Sequence, residues 1–184
     1  MKVAIISSSV REGRNTHKVS KGIASRLEAI NVSYELVDLK IHHLPALEHT
    51  YENHPNPSAQ MKELSSILES SNAMIFVSPE YNGSFSAPLK NMVDYYAKGP
   101  FEGKSIGVAT VSSGPMAGMR AAMQMQLLIL GCFGHPMPDM LLTGTVNSKF
   151  DDNEEISDEA YKEKVDKFLA EFVKVAGALD GLRT

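Results

Sequence analysis

The stretch Ala73-Met74-Ile75-Phe76-Val77-Ser78-Pro79-Glu80-Tyr81-Asn82-Gly83 decides how the chain is read. Its apolar first half fits a strand buried on both faces, as in the interior of a parallel sheet. The Pro-Glu-Tyr-Asn-Gly run then ends the strand, because proline stiffens the exit and glycine allows close approach. A buried strand opening into such a loop gathers backbone amides, an aromatic ring and a carboxamide where a planar ligand can lie.

Working outward, the same alternation recurs on both sides. Val3 to Ile6 reads as a strand, and after the loop from Ser7 to Arg14 the residues Val19, Ile23, Leu27 and Ile30 fall at helical spacing. Tyr34 to Leu39 is a second strand, residues 40–57 are a long proline-bearing connection, and Met61, Leu64 and Leu68 mark a second helix. After 73–77, Ser86 is placed to cap a helix with Pro88 in its first turn and Leu89, Met92, Val93 and Tyr96 inward. Ser105 to Val111 is a fourth strand, followed by Ser112-Ser113-Gly114-Pro115 and a largely apolar helix from about Met116 to Leu130. Having so little polar face, this helix is expected to be covered on more than one side. His135 to Met140, with Pro136 and Pro138, is a short fifth strand at an edge or a merely extended segment. The last helix carries Tyr161, Val165, Phe168, Leu169, Phe172, Val173 and Ala176 on one stripe, with Ser157 as its cap.

Strand–helix units without a hairpin signal imply parallel strands joined by right-handed crossovers, with helices on both faces. The expected fold is an α/β, flavodoxin-like three-layer sandwich with a five-stranded parallel sheet in the order 2-1-3-4-5. One domain over residues 1–184 suits the length. In that order strands 1 and 3 are neighbours and the chain reverses between them, so loops 7–16 and 79–85 flank one crevice and loop 112–118 borders it.

Composition narrows the function. A hydrophobic fraction of 43%, 22% charged residues and a formal net charge of −4 describe an ordinary globular protein and argue against nucleic acid as the main partner. One cysteine, Cys132, excludes an intrachain disulfide, a CxxC pair and a thiolate-rich metal site, and it fits a reducing compartment. The N-terminal apolar run is too short for a signal-peptide core and no run approaches a membrane span, so the expected location is the cytoplasm. His42, His43, His49 and His54 lie in a proline-bearing loop without HExxH or Cys/His spacing, so no metal site is expected.

The first loop, Ser7-Ser8-Ser9-Val10-Arg11-Glu12-Gly13-Arg14-Asn15-Thr16, feeds directly into a helix. Free amides and the helix dipole suit an anion there. Ser9 and Thr16 offer hydroxyls, Asn15 can donate or cap the helix, and Arg11 with Arg14 can neutralise a phosphate dianion. The loop lacks GxGxxG and GxxxxGK, which disfavours a dinucleotide pyrophosphate and a Walker-type ATPase and leaves a terminal monophosphate.

Together these residues resemble the NADPH-dependent FMN reductase family, the flavodoxin-like group that includes quinone, azo-dye and chromate reductases, over roughly residues 1 to 175. Ser9 and Arg11 match the family's first loop, whereas Arg14 stands where serine is usual and Thr16 where asparagine is usual. Pro79-Glu80-Tyr81-Asn82-Gly83-Ser84, continued by Pro88-Leu89-Lys90-Asn91 and Asp94, looks like the flavin-binding signature. Ser112-Ser113-Gly114-Pro115-Met116-Ala117-Gly118 is similar to the loop that borders the isoalloxazine, and Arg120 is similar to a family arginine.

The resemblance implies FMN with its phosphate at Ser9, Arg11, Arg14, Asn15 and Thr16. Its ring would lie beside Pro79, Glu80, Tyr81, Asn82, Gly83, Ser112, Ser113 and Gly114. NADPH or NADH would donate a hydride to flavin N5, and a quinone, flavin, azo compound or related acceptor would then take the electrons in a ping-pong cycle. No catalytic protein residue is expected, since the cofactor carries the redox step; Glu80 is expected to point to solvent or to a partner subunit. The family forms homodimers, sometimes paired into homotetramers. An FMN-binding electron carrier, or a non-catalytic adaptor on the same scaffold, is the alternative.

Overall fold

The computed structural model describes residues 1–182. Five parallel strands, β1 (Lys2–Ser7), β2 (Ser33–Asp38), β3 (Ala73–Pro79), β4 (Ser105–Val111) and β5 (His135–Thr143), form one sheet in the order β2-β1-β3-β4-β5. The helices are α1 (Asn15–Ala29), α2 (Ala59–Ser70), α3 (Ala87–Tyr96), α4 (Met119–Gly131) and α5 (Glu159–Asp180). The expected α/β three-layer architecture and strand order are therefore present.

The layers follow from strand alternation. On β1, Val3 and Ile5 pack with Ile23 and Leu27 of α1 and with Val165 and Phe172 of α5. Ala4 and Ile6 face the opposite way, into a core shared with Leu64 and Leu68 of α2, Met92 of α3 and Met125 of α4. Residues of β3 and β4 are buried throughout, as expected for central parallel strands.

Several local expectations are corrected. The fourth helix starts at Met119 rather than Met116, because Gly118 is left-handed (φ +80°) and Thr110 Oγ1 donates to Ala117 O at 2.8 Å, which holds 116–118 as a turn. Within the single chain its outer face is left exposed, at Met119, Met123, Leu127 and Leu130, Leu127 by 70%. The fifth strand runs to Thr143 as a true edge strand, with a register irregularity opposite Ile106 and Val108 beside the two prolines. Asp158, not Ser157, caps α5 by accepting from Tyr161 N at 2.8 Å. Ser86 occupies the N-cap position of α3 but donates its hydroxyl to Ser8 instead, at 2.8 Å to Oγ and 3.0 Å to the carbonyl.

Gly107 lets α5 seat on β4. A Cβ there would meet Phe168 and Phe172 at 3.1 Å. Gly107→Val is expected to lower stability by about 1–3 kcal/mol through overpacking, read as a reduced midpoint in urea unfolding with an unchanged slope.

Candidate functional site

At the carboxyl ends of β1, β3 and β4 a polar cleft of about 280 Å³ brings the three loops together. Ser9, Arg11, Arg14, Asn15 and Thr16 line it from the first loop, Pro79, Glu80 and Tyr81 from the second, and Ser112 and Ser113 from the third. Asn82, Gly83 and Gly114 lie outside this lining. Val146, which nothing in the sequence marks, completes the wall.

Like α3 and α4, α1 starts without a side-chain cap. Ser58 and Asp158 cap α2 and α5, but the N-cap of α1 is Arg14, which cannot accept a hydrogen bond, and no acidic residue stands in the first turn. Among the described residues no protein acceptor meets the backbone amides from Ser9 to Arg14. A helix end with exposed donors and no negative charge is suited to an anion. Asn15 does not cap; it is the first helical residue, and its Nδ2 donates to Asn147 Oδ1 at 2.7 Å. Thr16 is buried beside the cleft.

The two arginines have different surroundings. Arg11 makes no ion pair among the described residues and lies 5.5 Å from the centre of the Tyr81 ring. Arg14 is bound within the protein: Nη1 donates to Ser9 O and to Asp38 Oδ1, each at 2.6 Å, and Nη2 to Asp38 Oδ2. Asp38 also accepts from Lys40 N at 2.9 Å and lies 3.8 Å from His17 Nδ1, which contacts Ser7 Oγ at 3.1 Å. Burial pushes the Asp38 carboxyl up, but the bonds from Arg14 and the Lys40 amide outweigh it and hold the group below its ordinary value. Burial pushes His17 below its ordinary value, and the nearby Asp38 only partly opposes this. Asp38 was missed as a site residue, although it ends the strand next to β1, the one signal available for it; His17 was legible in the sequence as a residue close to this loop, suited either to an anion or to an exposed helix face.

The second loop is a tight turn. Tyr81 N donates to Ser84 O at 2.8 Å and Ser84 N to Tyr81 O at 3.1 Å, while Asn82 (φ +51°) and Gly83 (φ +84°) are both left-handed, the pattern of a type I′ turn. Glu80 N is bound to Val111 O at 3.2 Å, so the Asn82 and Gly83 amides are the turn's unpaired donors among the described residues. Tyr81 reaches toward the first loop, its hydroxyl 3.0 Å from Ser9 Oγ. It therefore touches the anion end as well as the turn where the ring was expected.

Glu80 corrects another expectation. Its side chain is only 10% exposed and turns inward, accepting from Arg120 Nε at 2.9 Å and Nη2 at 2.6 Å, and from Ala121 N at 3.4 Å at the start of α4. Burial raises this carboxyl, but the Arg120 bonds and the α4 amides bring it below its ordinary value. Gln124 donates from Nε2 to Gly83 O at 2.8 Å and accepts at Oε1 from Ser84 Oγ at 2.7 Å, so two residues of α4 hold the turn in place. In the third loop, Ser112 Oγ accepts from Gly114 N at 3.1 Å and shapes the bend.

Outside the cleft, Cys132 is buried, its thiol donates to Ile129 O at 3.3 Å, and burial raises its pKa, all consistent with an inert thiol. His49 and His54 meet edge to face, and His42 lies 3.8 Å from Glu63. No helix among the described residues is long and apolar enough to cross a membrane.

A parallel sheet wound outward from β1 and β3, with an anion-ready loop and a fixed turn at that junction, is the flavodoxin-like α/β architecture. The chain belongs to the NADPH-dependent FMN reductase family, whose model matches residues 1–147. It is 30% identical to a quinone reductase of Pseudomonas putida over 186 aligned residues, covering 96% of this chain and 97% of that one. A NADPH azoreductase of a Bacillus species is 27% identical over 142 residues, 77% of this chain and 76% of the relative. In shape the chain is similar to the flavoenzyme FerB, an NAD(P)H:acceptor oxidoreductase of Paracoccus denitrificans, with a TM-score of 0.81 at 22% identity, covering 96% and 97% of the two chains. Membership supports an FMN-linked oxidoreductase role.

Acid sensitivity follows from Asp38 and His17. Both have folded pKa values below their ordinary 3.8 and 6.5, so the unfolded chain takes up protons first and stability falls on acidification. Thermal unfolding between pH 8 and 3 should show a first loss as pH falls below about 6.5 and a further loss through the carboxylate range near 4. His17→Gln should flatten the first of these steps; an unchanged profile in that variant would refute the assignment.

Proposed function

We infer that the protein is an FMN-dependent NAD(P)H oxidoreductase that accepts a hydride from NADPH or NADH and passes electrons to a quinone, azo compound, flavin or related small acceptor. The observation that carries this reading is the run of acceptor-free amides before α1, with Arg11, unpaired among the described residues, beside it, in the same cleft as Pro79, Glu80 and Tyr81. The residues fit FMN chemically: the Ser9 to Arg14 amides, the Ser9 and Thr16 hydroxyls and Arg11 suit a phosphate dianion. The unpaired Asn82 and Gly83 amides suit the polar edge of a flavin, and Ser112 and Ser113 border it.

Bound flavin would supply the hydride acceptor and then the electron donor, the chemistry a ping-pong cycle needs. The protein's part is binding, orientation and access. Glu80 is not free to move a proton, because its carboxylate is held by Arg120 and the α4 amides. The acceptor class is drawn from the quinone reductase and azoreductase relatives.

Anaerobic stopped-flow mixing of FMN-loaded protein with NADPH or NADH should bleach the flavin band before any acceptor is added, and steady-state plots with a quinone or azo dye should give parallel lines. A flavin reduced by neither nucleotide would point instead to an electron carrier. A folded protein that does not retain FMN would overturn the reading altogether.

The active form we propose is a homodimer, or a homotetramer built from such dimers. The exposed α4 residues Met123, Leu127 and Leu130 lie beside an apolar groove between α3 and α4 that includes Phe85, Val93 and Leu128. Lys90 and Asp94, which also line it, pair with each other at 2.7 Å, so the exposed apolar face is what a second copy would cover. Leu127→Glu should convert the oligomer to monomer in light scattering while leaving the circular dichroism spectrum intact.

A further inference from the structure

Arg14 stands in the anion cleft, yet its guanidinium is directed away from solvent. Its side chain is 13% exposed and that of Asp38 is 8% exposed, and the fork between them is bidentate. One nitrogen of the same guanidinium also holds Ser9 O at 2.6 Å. Arg14 thus ties the beginning of the first loop to its end and both to the end of β2. Two further links run the same way: Leu39 N donates to Ser7 O at 3.0 Å, and Lys40 Nζ pairs with Glu12 at 2.6 Å. The second of these is on the surface, and little stability is assigned to it.

The charge balance sharpens the point. Asp38 cancels the charge of Arg14, so among the described residues the cation of this loop without a carboxylate partner is Arg11. An arginine that merely attracted phosphate would gain from having no carboxylate beside it. One that shapes the loop needs a fixed partner inside the protein, and the Asp38 carboxylate accepts the planar fork at both nitrogens.

We propose that Arg14 and Asp38 are positioning residues: together they clasp the Ser9–Arg14 loop in the conformation that turns its amides toward a phosphate, while Arg11 supplies the attracting charge. The proposal rests on the reading of this cleft as the FMN phosphate site. It assigns Arg14 a different task from the phosphate contact that the motif alone implied, and it gives Asp38 a role.

The two tasks predict opposite signs for one substitution. Asp38→Asn frees the charge of Arg14, so direct attraction would tighten FMN, whereas loss of the clasp weakens it. Binding of FMN and of riboflavin, which lacks the phosphate, is to be measured by fluorescence titration of the apoprotein. For Asp38→Asn and Arg14→Lys we expect FMN affinity to fall by about tenfold or more, with riboflavin affinity unchanged within about twofold and faster hydrogen exchange at Leu39, whose amide is bonded to Ser7 O. Arg14→Lys keeps the charge and loses only the fork, and it serves if Asp38→Asn fails to fold.

FMN affinity unchanged or increased in either folded variant, or an equal loss for riboflavin, would overturn the clasp. A wild-type protein that binds FMN no better than riboflavin would instead overturn the phosphate site itself, and the clasp with it.

Discussion

The parallel pairing of β1 with β3, in register from Val3 against Ala73 to Ser7 against Val77, is the constraint on which the rest depends. β2 lies on the other side of β1, so the winding of the chain reverses at this junction and the two central loops must leave the sheet side by side. The junction continues beyond the strands: Ser8 N and Ser8 Oγ both donate to Val77 O, at 3.0 and 2.9 Å. Ser86 then binds Ser8 from the start of α3. Each of these hydroxyls is buried, so each needs a partner inside the protein, and their mutual bonding fixes the floor of the cleft.

Around this floor, each loop is steadied by an element other than the one that carries it. The end of β2 holds the first loop through Asp38, and α4 holds the second through Arg120 and Gln124. The third is bound to β5, with Ser112 N donating to Thr143 O at 2.9 Å. Ionic and polar side chains do this for the first two loops and a backbone bond for the third, while the hydrophobic layers lie beneath. That division fits a binding protein, since it leaves backbone donors free at the surface without loosening the loops that bear them.

Much of the fold was legible because periodicity reports burial directly. The strand runs at 3–6, 73–77 and 105–111, and the stripe from Tyr161 to Ala176, state which faces are apolar, and parallel strands then require crossovers. The limits were less legible where one residue's backbone decides them. Met116 continues an apolar helix pattern, but left-handed Gly118 and the Thr110 hydroxyl stop the helix at Met119. Ser157 and Asp158 are both good caps by type, and only the geometry of the turn selects Asp158.

For the candidate site, local sequence determined which loops carry the chemistry, because Asn82-Gly83 encodes its own turn and a Ser- and Arg-rich loop before a helix encodes an anion site. What each charged side chain faces was decided by tertiary structure. Arg11 and Arg14 are alike in sequence, yet one lies over Tyr81 and the other is bound to Asp38, 24 positions away. Glu80 reads as an exposed loop acid, yet Arg120 draws it inward. Ion pairs of this kind join residues brought together only by strand order and helix placement, and a linear pattern of residues does not contain those distances.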